Sequence, residues 1–216
     1  MSFEAILFDN DGVLVDTEEL YFAANRETLG AIGISLGEDD YIELFLRTGQ
    51  GAWQLLEAQG YDSAGIAAWR AGRNRRYEEL VTTAEVTIAG AHAVVVALAR
   101  RYRLAIVTSS EPEPFARTHR RTGLLPHFEL VLTRDQYRQS KPDPEPYRQA
   151  MWRLGLTPER CLVIEDSERG LRAAKAAGLT CWVIPSRLTA GLSFDGADAV
   201  LANLSEVASR LLDTPS

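Results

Sequence analysis

The chain has 216 residues, 46% of them hydrophobic and 25% charged, enough for one large α/β domain or for a core domain plus a small insert. Acidic residues outnumber basic ones 30 to 23, and the formal net charge of −7 argues against nucleic acid as the main ligand, while a local arginine cluster or a metal could still draw a small anion into one cleft. No apolar run approaches membrane-spanning length, and Met1-Ser2-Phe3-Glu4 shows no basic region followed by an apolar stretch, so a cytoplasmic setting with no membrane partner is expected.

Ala5-Ile6-Leu7-Phe8 is a short apolar run that reads as a buried strand and ends at Asp9-Asn10-Asp11-Gly12. From residue 17 to 84 no such run recurs. Amphipathic helical stretches take its place, with Trp53 and Leu56 at core-packing spacing, so this stretch reads as a helical insert after the first strand. Inside it, Trp69 to Tyr77 holds Arg70, Arg73, Arg75 and Arg76, with Arg70/Arg73 and Arg73/Arg76 at helical i, i+3 spacing. One reading is a solvated cationic face. The other is an arginine that reaches a cleft and binds an anionic group of the substrate, with Arg73 as first choice and Arg47 as second.

The sheet pattern resumes near Gly90. His92 to Arg101 places Val94, Val95 and Leu98 on one helical face, Pro144 opens a helix to Leu154, and Glu168 to Ala177 ends at Gly178, a plausible cap. Between these helices lie the apolar runs 104–107, 130–132, 161–164 and 181–184, with a weaker one at 199–201. Strands alternating with helices predict an α/β fold with a doubly wound parallel sheet, Rossmann-like, whose ligand site lies beyond the carboxyl ends of the strands. Residues 1–16 and 85–216 would form this core, and 17–84 a small helical domain.

Four polar elements fall at or just beyond predicted strand ends: Asp9-Asn10-Asp11-Gly12-Val13, Thr108-Ser109-Ser110, Lys141-Pro142-Asp143-Pro144, and Glu165-Asp166-Ser167 with Gly170 beyond. Two acids two residues apart at a strand end repel each other, and a divalent cation would offset that cost. Asn10, between two inward-pointing acids on an extended segment, points away, so its identity is expected to matter little. His92, His119 and His127 are scattered without metal-ligand spacing. Cys181 to Arg187 has the Cys-x5-Arg spacing of cysteine-dependent phosphatases, but Trp-Val-Ile-Pro replaces the phosphate-cradling loop, so Cys181 and Cys161 read as core thiols.

In this order the four elements resemble the haloacid dehalogenase superfamily, in the branch with a helical cap between the first and second core motifs, and the likeness spans nearly the whole chain. The resemblance implies a phosphate-ester hydrolase with Asp9 as covalent nucleophile and Asp11 as general acid and base. It implies magnesium held by Asp9, Glu165, Asp166 and the Asp11 backbone carbonyl. Thr108, with Ser109 and Ser110, would bind the phosphoryl oxygens, and Lys141 would neutralise the phosphoryl group and hold Asp9 ionised. The implied substrate is a small phosphorylated metabolite, a sugar phosphate or phospho-acid, handled by a monomer or weak homodimer. A β-phosphoglucomutase-type phosphomutase is the alternative. Such mutases carry a histidine, a cap arginine and a lysine where this chain has Tyr21, Gly51 and Glu111. Dehalogenation and a non-catalytic binding role are further alternatives, against which the intact set of acids and lysine argues.

Overall fold

The structure, a computed structural model, describes residues 3–212. Six strands form one parallel sheet in the order β3-β2-β1-β4-β5-β6, namely β1 (Ala5–Phe8), β2 (Arg103–Val107), β3 (Leu130–Leu132), β4 (Cys161–Glu165), β5 (Thr180–Val183) and β6 (Ala199–Val200). This order bears out the doubly wound expectation. Its switch point lies at β1, which pairs with β2 on one side and β4 on the other. Register sets the height of everything that follows. Phe8 is level with Ile106 and Ile164, so the chain leaves β1, β2 and β4 at one level of the sheet.

The four residues of β1 are all fully buried because helices cover both faces. Period-two alternation sends Ala5 and Leu7 to one side, where they meet Tyr147, Ala150 and Met151 of α7 (Glu145–Leu154) and Leu171 and Ala174 of α8 (Glu168–Ala176). Ile6 and Phe8 face the other side, against Val94, Val95 and Leu98 of α5 (Ala91–Leu98) and Val207 of α9 (Leu204–Leu212). Between β2 and β3 lies α6 (Pro112–Thr118), opened by a proline that suits a first helical turn.

Among the described residues the chain divides into two compact units, one running to Asp16 and resuming at Val86, the other Thr17–Glu85. The second unit is entirely helical: α1 (Glu18–Gly30), α2 (Glu38–Tyr41), a π-helical turn Ile42–Arg47, α3 (Trp53–Ala58) and α4 (Ser63–Thr83). Its interior is aromatic, with Tyr41 stacked on Phe45 and Tyr21 edge-on to Tyr77 and Phe45.

Candidate active site

The loop after β1 is held by its own backbone. Asp9 N–H extends the ladder to the Ile164 carbonyl at 2.9 Å, and the Asn10 carbonyl accepts from Val13, Leu14 and Val15 at 3.3, 2.9 and 3.1 Å. Gly12 turns the chain at φ +85°, and a Cβ there would lie 2.2 Å from Asp166 Oδ2, so both the conformation and the close approach of Asp166 require glycine.

Lys141 ties three strands together. Its ammonium, 5% exposed, donates to Asp9 Oδ1 at 2.7 Å, to Glu165 Oε1 at 2.6 Å and to the Val107 carbonyl at 2.9 Å, which uses all three of its protons. Tyr147 on α7 donates to the same Glu165 oxygen at 2.5 Å, while Glu165 Oε2 accepts from the Asp166 amide at 3.3 Å and the Ser167 hydroxyl at 3.1 Å. Gly170, in the first turn of α8, leaves room for that carboxyl: a Cβ there would sit 1.9 Å from its carbon. The Lys141 loop is pinned from behind by Arg169, which donates to the Lys141 carbonyl at 2.6 Å.

One ammonium thus serves two buried carboxylates, with further acids beside it, so negative charge is in excess. Burial, then repulsion from Glu165 and Asp11, pushes the Asp9 carboxyl up to about 7 against the pull of Lys141. Burial alone would lower the Lys141 pKa, but Asp9 and Glu165 outweigh it and raise the group above its ordinary value. Carboxylate oxygens of Asp9, Glu165 and Asp166 lie within 4.8 Å of one another, an all-oxygen donor set that suits a hard divalent cation and would relieve the charge excess.

The second polar element divides its work. The Ser110 hydroxyl donates to Asp11 Oδ2 at 2.8 Å, with Thr108 Oγ1 3.5 Å from the same oxygen. Thr108 is fully buried, its hydroxyl oxygen accepting from the Ser110 amide at 3.0 Å and its carbonyl from Tyr137 at 2.8 Å, whereas Ser109 is exposed. Asp9, Asp11, Thr108, Ser109, Ser110, Lys141, Glu165 and Asp166 therefore all gather at the carboxyl ends of β1, β2 and β4.

Arg47 and Arg73 belong to the helical unit. Arg47 is exposed and ion-paired with Glu43 at 3.4 Å. Arg73 is only 4% exposed, which corrects the solvated-face reading at that position. Its guanidinium donates to the Tyr21 hydroxyl, to Asn25 Oδ1 at 3.1 Å and to Asn74 Oδ1 at 2.9 Å, and it lies over the Tyr21 ring.

Local sequence gave no sign of several supporting residues. Tyr147 and Tyr137 reach the site only through the packing of their elements. Asn10 does point away from the acids, but its side chain has a buried partner that the sequence did not suggest. It is 1% exposed, and its Oδ1 meets His119 Nε2 at 2.7 Å, so an apolar replacement would strand a buried ring nitrogen. Cys181 lies fully buried in β5 and burial pushes its thiol far up, so it stays protonated.

The profile of the haloacid dehalogenase-like hydrolase family matches residues 3–178. Protein CbbY of Cereibacter sphaeroides is 35% identical over 215 residues, covering 94% of each chain. A "Phosphorylated carbohydrates phosphatase" of Thermotoga maritima is 33% identical over 180 residues, 82% of each chain. Among solved structures, a CbbY variant from Rhodobacter sphaeroides in complex with xylulose-(1,5)bisphosphate superposes with a TM-score of 0.81 at 32% identity, covering 94% of this chain and 96% of that one.

Proposed function

The chain belongs to the haloacid dehalogenase-like hydrolase family, and from that premise we propose a magnesium-dependent phosphatase that hydrolyses a small phosphorylated metabolite through an aspartyl-phosphate on Asp9. The observation that carries this reading is the Lys141 ammonium bridging Asp9 and Glu165 beside Asp166, with Asp11 held separately by Ser110.

In the first step an Asp9 carboxylate oxygen attacks phosphorus as the ester P–O bond breaks, and Asp11 gives its proton to the leaving alkoxide. In the second, Asp11 takes a proton from water, the water oxygen bonds to phosphorus, and the Asp9–phosphorus bond breaks, releasing inorganic phosphate. Ser110 holds the Asp11 carboxyl in one orientation for both transfers. Thr108, Ser109 and the Lys141 charge are assigned to the phosphoryl oxygens. Magnesium, when bound, supplies the positive charge that lets an anionic phosphate approach these acids. Asp9, Asp166 and the Asp11 carbonyl would hold it, with Glu165 ranked behind them because it already accepts four hydrogen bonds.

Substrate choice we assign to the helical unit, with Arg47 as the anion contact whose guanidinium reaches solvent and Arg73 as the one committed inward. The substrate class is a sugar phosphate or phospho-acid, and the pentulose bisphosphate bound by the CbbY variant is the first compound to try.

The test is phosphate release from a panel of sugar monophosphates, sugar bisphosphates, phospho-acids and an aryl phosphate, with magnesium or with chelator, together with acid-trapping of the phosphoprotein. Magnesium-dependent release and a phosphoprotein absent from Asp9→Asn are expected. Undiminished release after exhaustive chelation would refute the metal role. Rapid, glucose 1,6-bisphosphate-primed conversion of β-glucose 1-phosphate to glucose 6-phosphate with negligible phosphate release would make the enzyme a mutase.

A further inference from the structure

We infer that His119 is a positioning residue for the catalytic loop, fixing through Asn10 the orientation of the two acids on either side of it. The inference rests on the phosphatase reading above.

Asn10 is the pivot of that loop. Its carbonyl gathers the amides of Val13, Leu14 and Val15, and its peptide neighbours are Asp9 and Asp11, so any rotation at Asn10 swings both. The backbone bonds hold one side of the residue. Its side chain, pointing away from the acids, is held by the ring of His119 at 2.7 Å. The two residues are 95% or more buried.

The ring is itself fixed. His119 caps the end of α6 with its amide bonded to the Phe115 carbonyl at 3.1 Å, and its ring packs against that of Phe115 at 4.5 Å. Its Nδ1 lies 3.0 Å from the Thr122 hydroxyl. An asparagine carbonyl oxygen can only accept, so Nε2 carries the proton and Nδ1 accepts from Thr122. Thr122 is buried as well, and its hydroxyl oxygen takes the Leu124 amide at 3.3 Å. A chain of hydrogen bonds therefore runs from the 122–124 turn through the ring to the residue between the nucleophile and the acid. Burial lowers the His119 pKa to about 4, so the ring is neutral in the assay range and contributes a directed hydrogen bond rather than a charge.

A positioning role and a packing role for this buried pair separate experimentally. His119→Leu, His119→Gln, Asn10→Leu and the double variant Asn10→Leu/His119→Leu would be compared by thermal melting, magnesium calorimetry and steady-state kinetics on the best panel substrate. Positioning predicts that His119→Leu lowers kcat at least about fivefold with KM little changed, because small displacements of reacting groups cost rate more than binding. It predicts that His119→Gln, whose amide can still donate to Asn10, recovers most of kcat. It also predicts that the double variant, which removes both ends of the Asn10–His119 bond and leaves the Thr122 hydroxyl the His119 carbonyl at 3.4 Å as acceptor, recovers part of the melting temperature lost in His119→Leu but not kcat. If His119→Leu does not fold, the double variant and His119→Gln carry the comparison. A folded double variant with wild-type kcat would overturn the proposal. If the wild type releases no phosphate from any panel member, the function reading fails first. Calorimetry then decides the positioning claim, which requires weaker magnesium binding in the folded double variant than in wild type.

Discussion

At the carboxyl ends of β1 and β4, Asp9 and Glu165 share one ammonium with Asp166 beside them, whereas inside Thr17–Glu85 a single guanidinium, Arg73, is buried among a tyrosine hydroxyl and two amides. Both clusters bury charge, but they hold it differently. The donors of Arg73 end on neutral oxygens, and the rings of Tyr21 and Trp69 lie 4.5 and 5.6 Å from its central carbon. The first cluster sets two carboxylates against one ammonium, and burial, with repulsion from Glu165 and Asp11, raises the Asp9 pKa despite the pull of Lys141. Neutral oxygens and ring faces solvate the guanidinium without neutralising it, and burial lowers its pKa, whereas at the strand ends opposite charges meet directly and the crowded carboxyls favour a further cation.

The largest effect expected is from Asp9→Asn. The amide is nearly isosteric but a poor nucleophile, so phosphate release should fall by at least about a thousandfold. The melting temperature in chelator should hold or rise, because the substitution removes a carboxylate that the site disfavours. Near-wild-type turnover by the pure, folded variant would remove Asp9 from the chemistry.

Next comes Lys141→Met, which keeps the stem length but leaves Asp9 and Glu165 facing each other unneutralised. Removing one partner of a buried ion pair costs on the order of 3–5 kcal/mol, to be read by urea denaturation in chelator. A loss below about 1 kcal/mol, the scale of an exposed pair, would mean that the ammonium is not what holds the two strands' acids together.

The third prediction concerns pH. Burial, with repulsion from Glu165 and Asp11, pushes the Asp9 carboxyl up to about 7 in the folded chain from an ordinary value of 3.8. A folded pKa above the unfolded one means that the unfolded state loses its proton first. This group's contribution to stability is therefore full below 3.8 and is lost as pH rises through 7. Magnesium competes with that proton, so the magnesium-induced rise in melting temperature should be larger at pH 8 than at pH 5. An equal or reversed difference would place the cation elsewhere.

The smallest effect sharpens the other half of the comparison. Arg73→Met should cost about 1–3 kcal/mol by leaving the Tyr21 hydroxyl oxygen and Asn25 Oδ1 without the donor they share. The magnesium-induced melting shift should not change. If that shift changed as well, the helical cluster would be coupled to the cation site.

The fold was legible where burial is symmetric. A parallel strand covered on both faces reads as an unbroken apolar run, and Ala5–Phe8, Cys161–Glu165 and Thr180–Val183 lie within a residue of the runs that predicted them. The residues beyond those runs were legible for the same reason, since register brings strand ends to one level whatever the loops do. Side-chain partners were not. Lys141 meets Glu165 across 24 residues, Tyr147 meets Glu165 across 18, and Asn10 meets His119 across 109, and no periodicity encodes such pairings. Arg73 misled for a related reason: arginines at i, i+3 spacing share a face, but whether that face is wet depends on what packs there.

Which acids stand at the strand ends, and that a cation would offset their repulsion, follows from the chain alone, because alternating apolar runs and the mutual repulsion of close carboxylates are local properties. Which group answers each acid was decided by tertiary structure. The sheet order sets β4 beside β1 and brings the 141 loop across the ends of both, so Asp9 and Glu165 share one ammonium. The same folding carries Ser110 to Asp11 and the ring of His119 beneath Asn10, contacts between groups a hundred residues apart that only a closed core can hold in register.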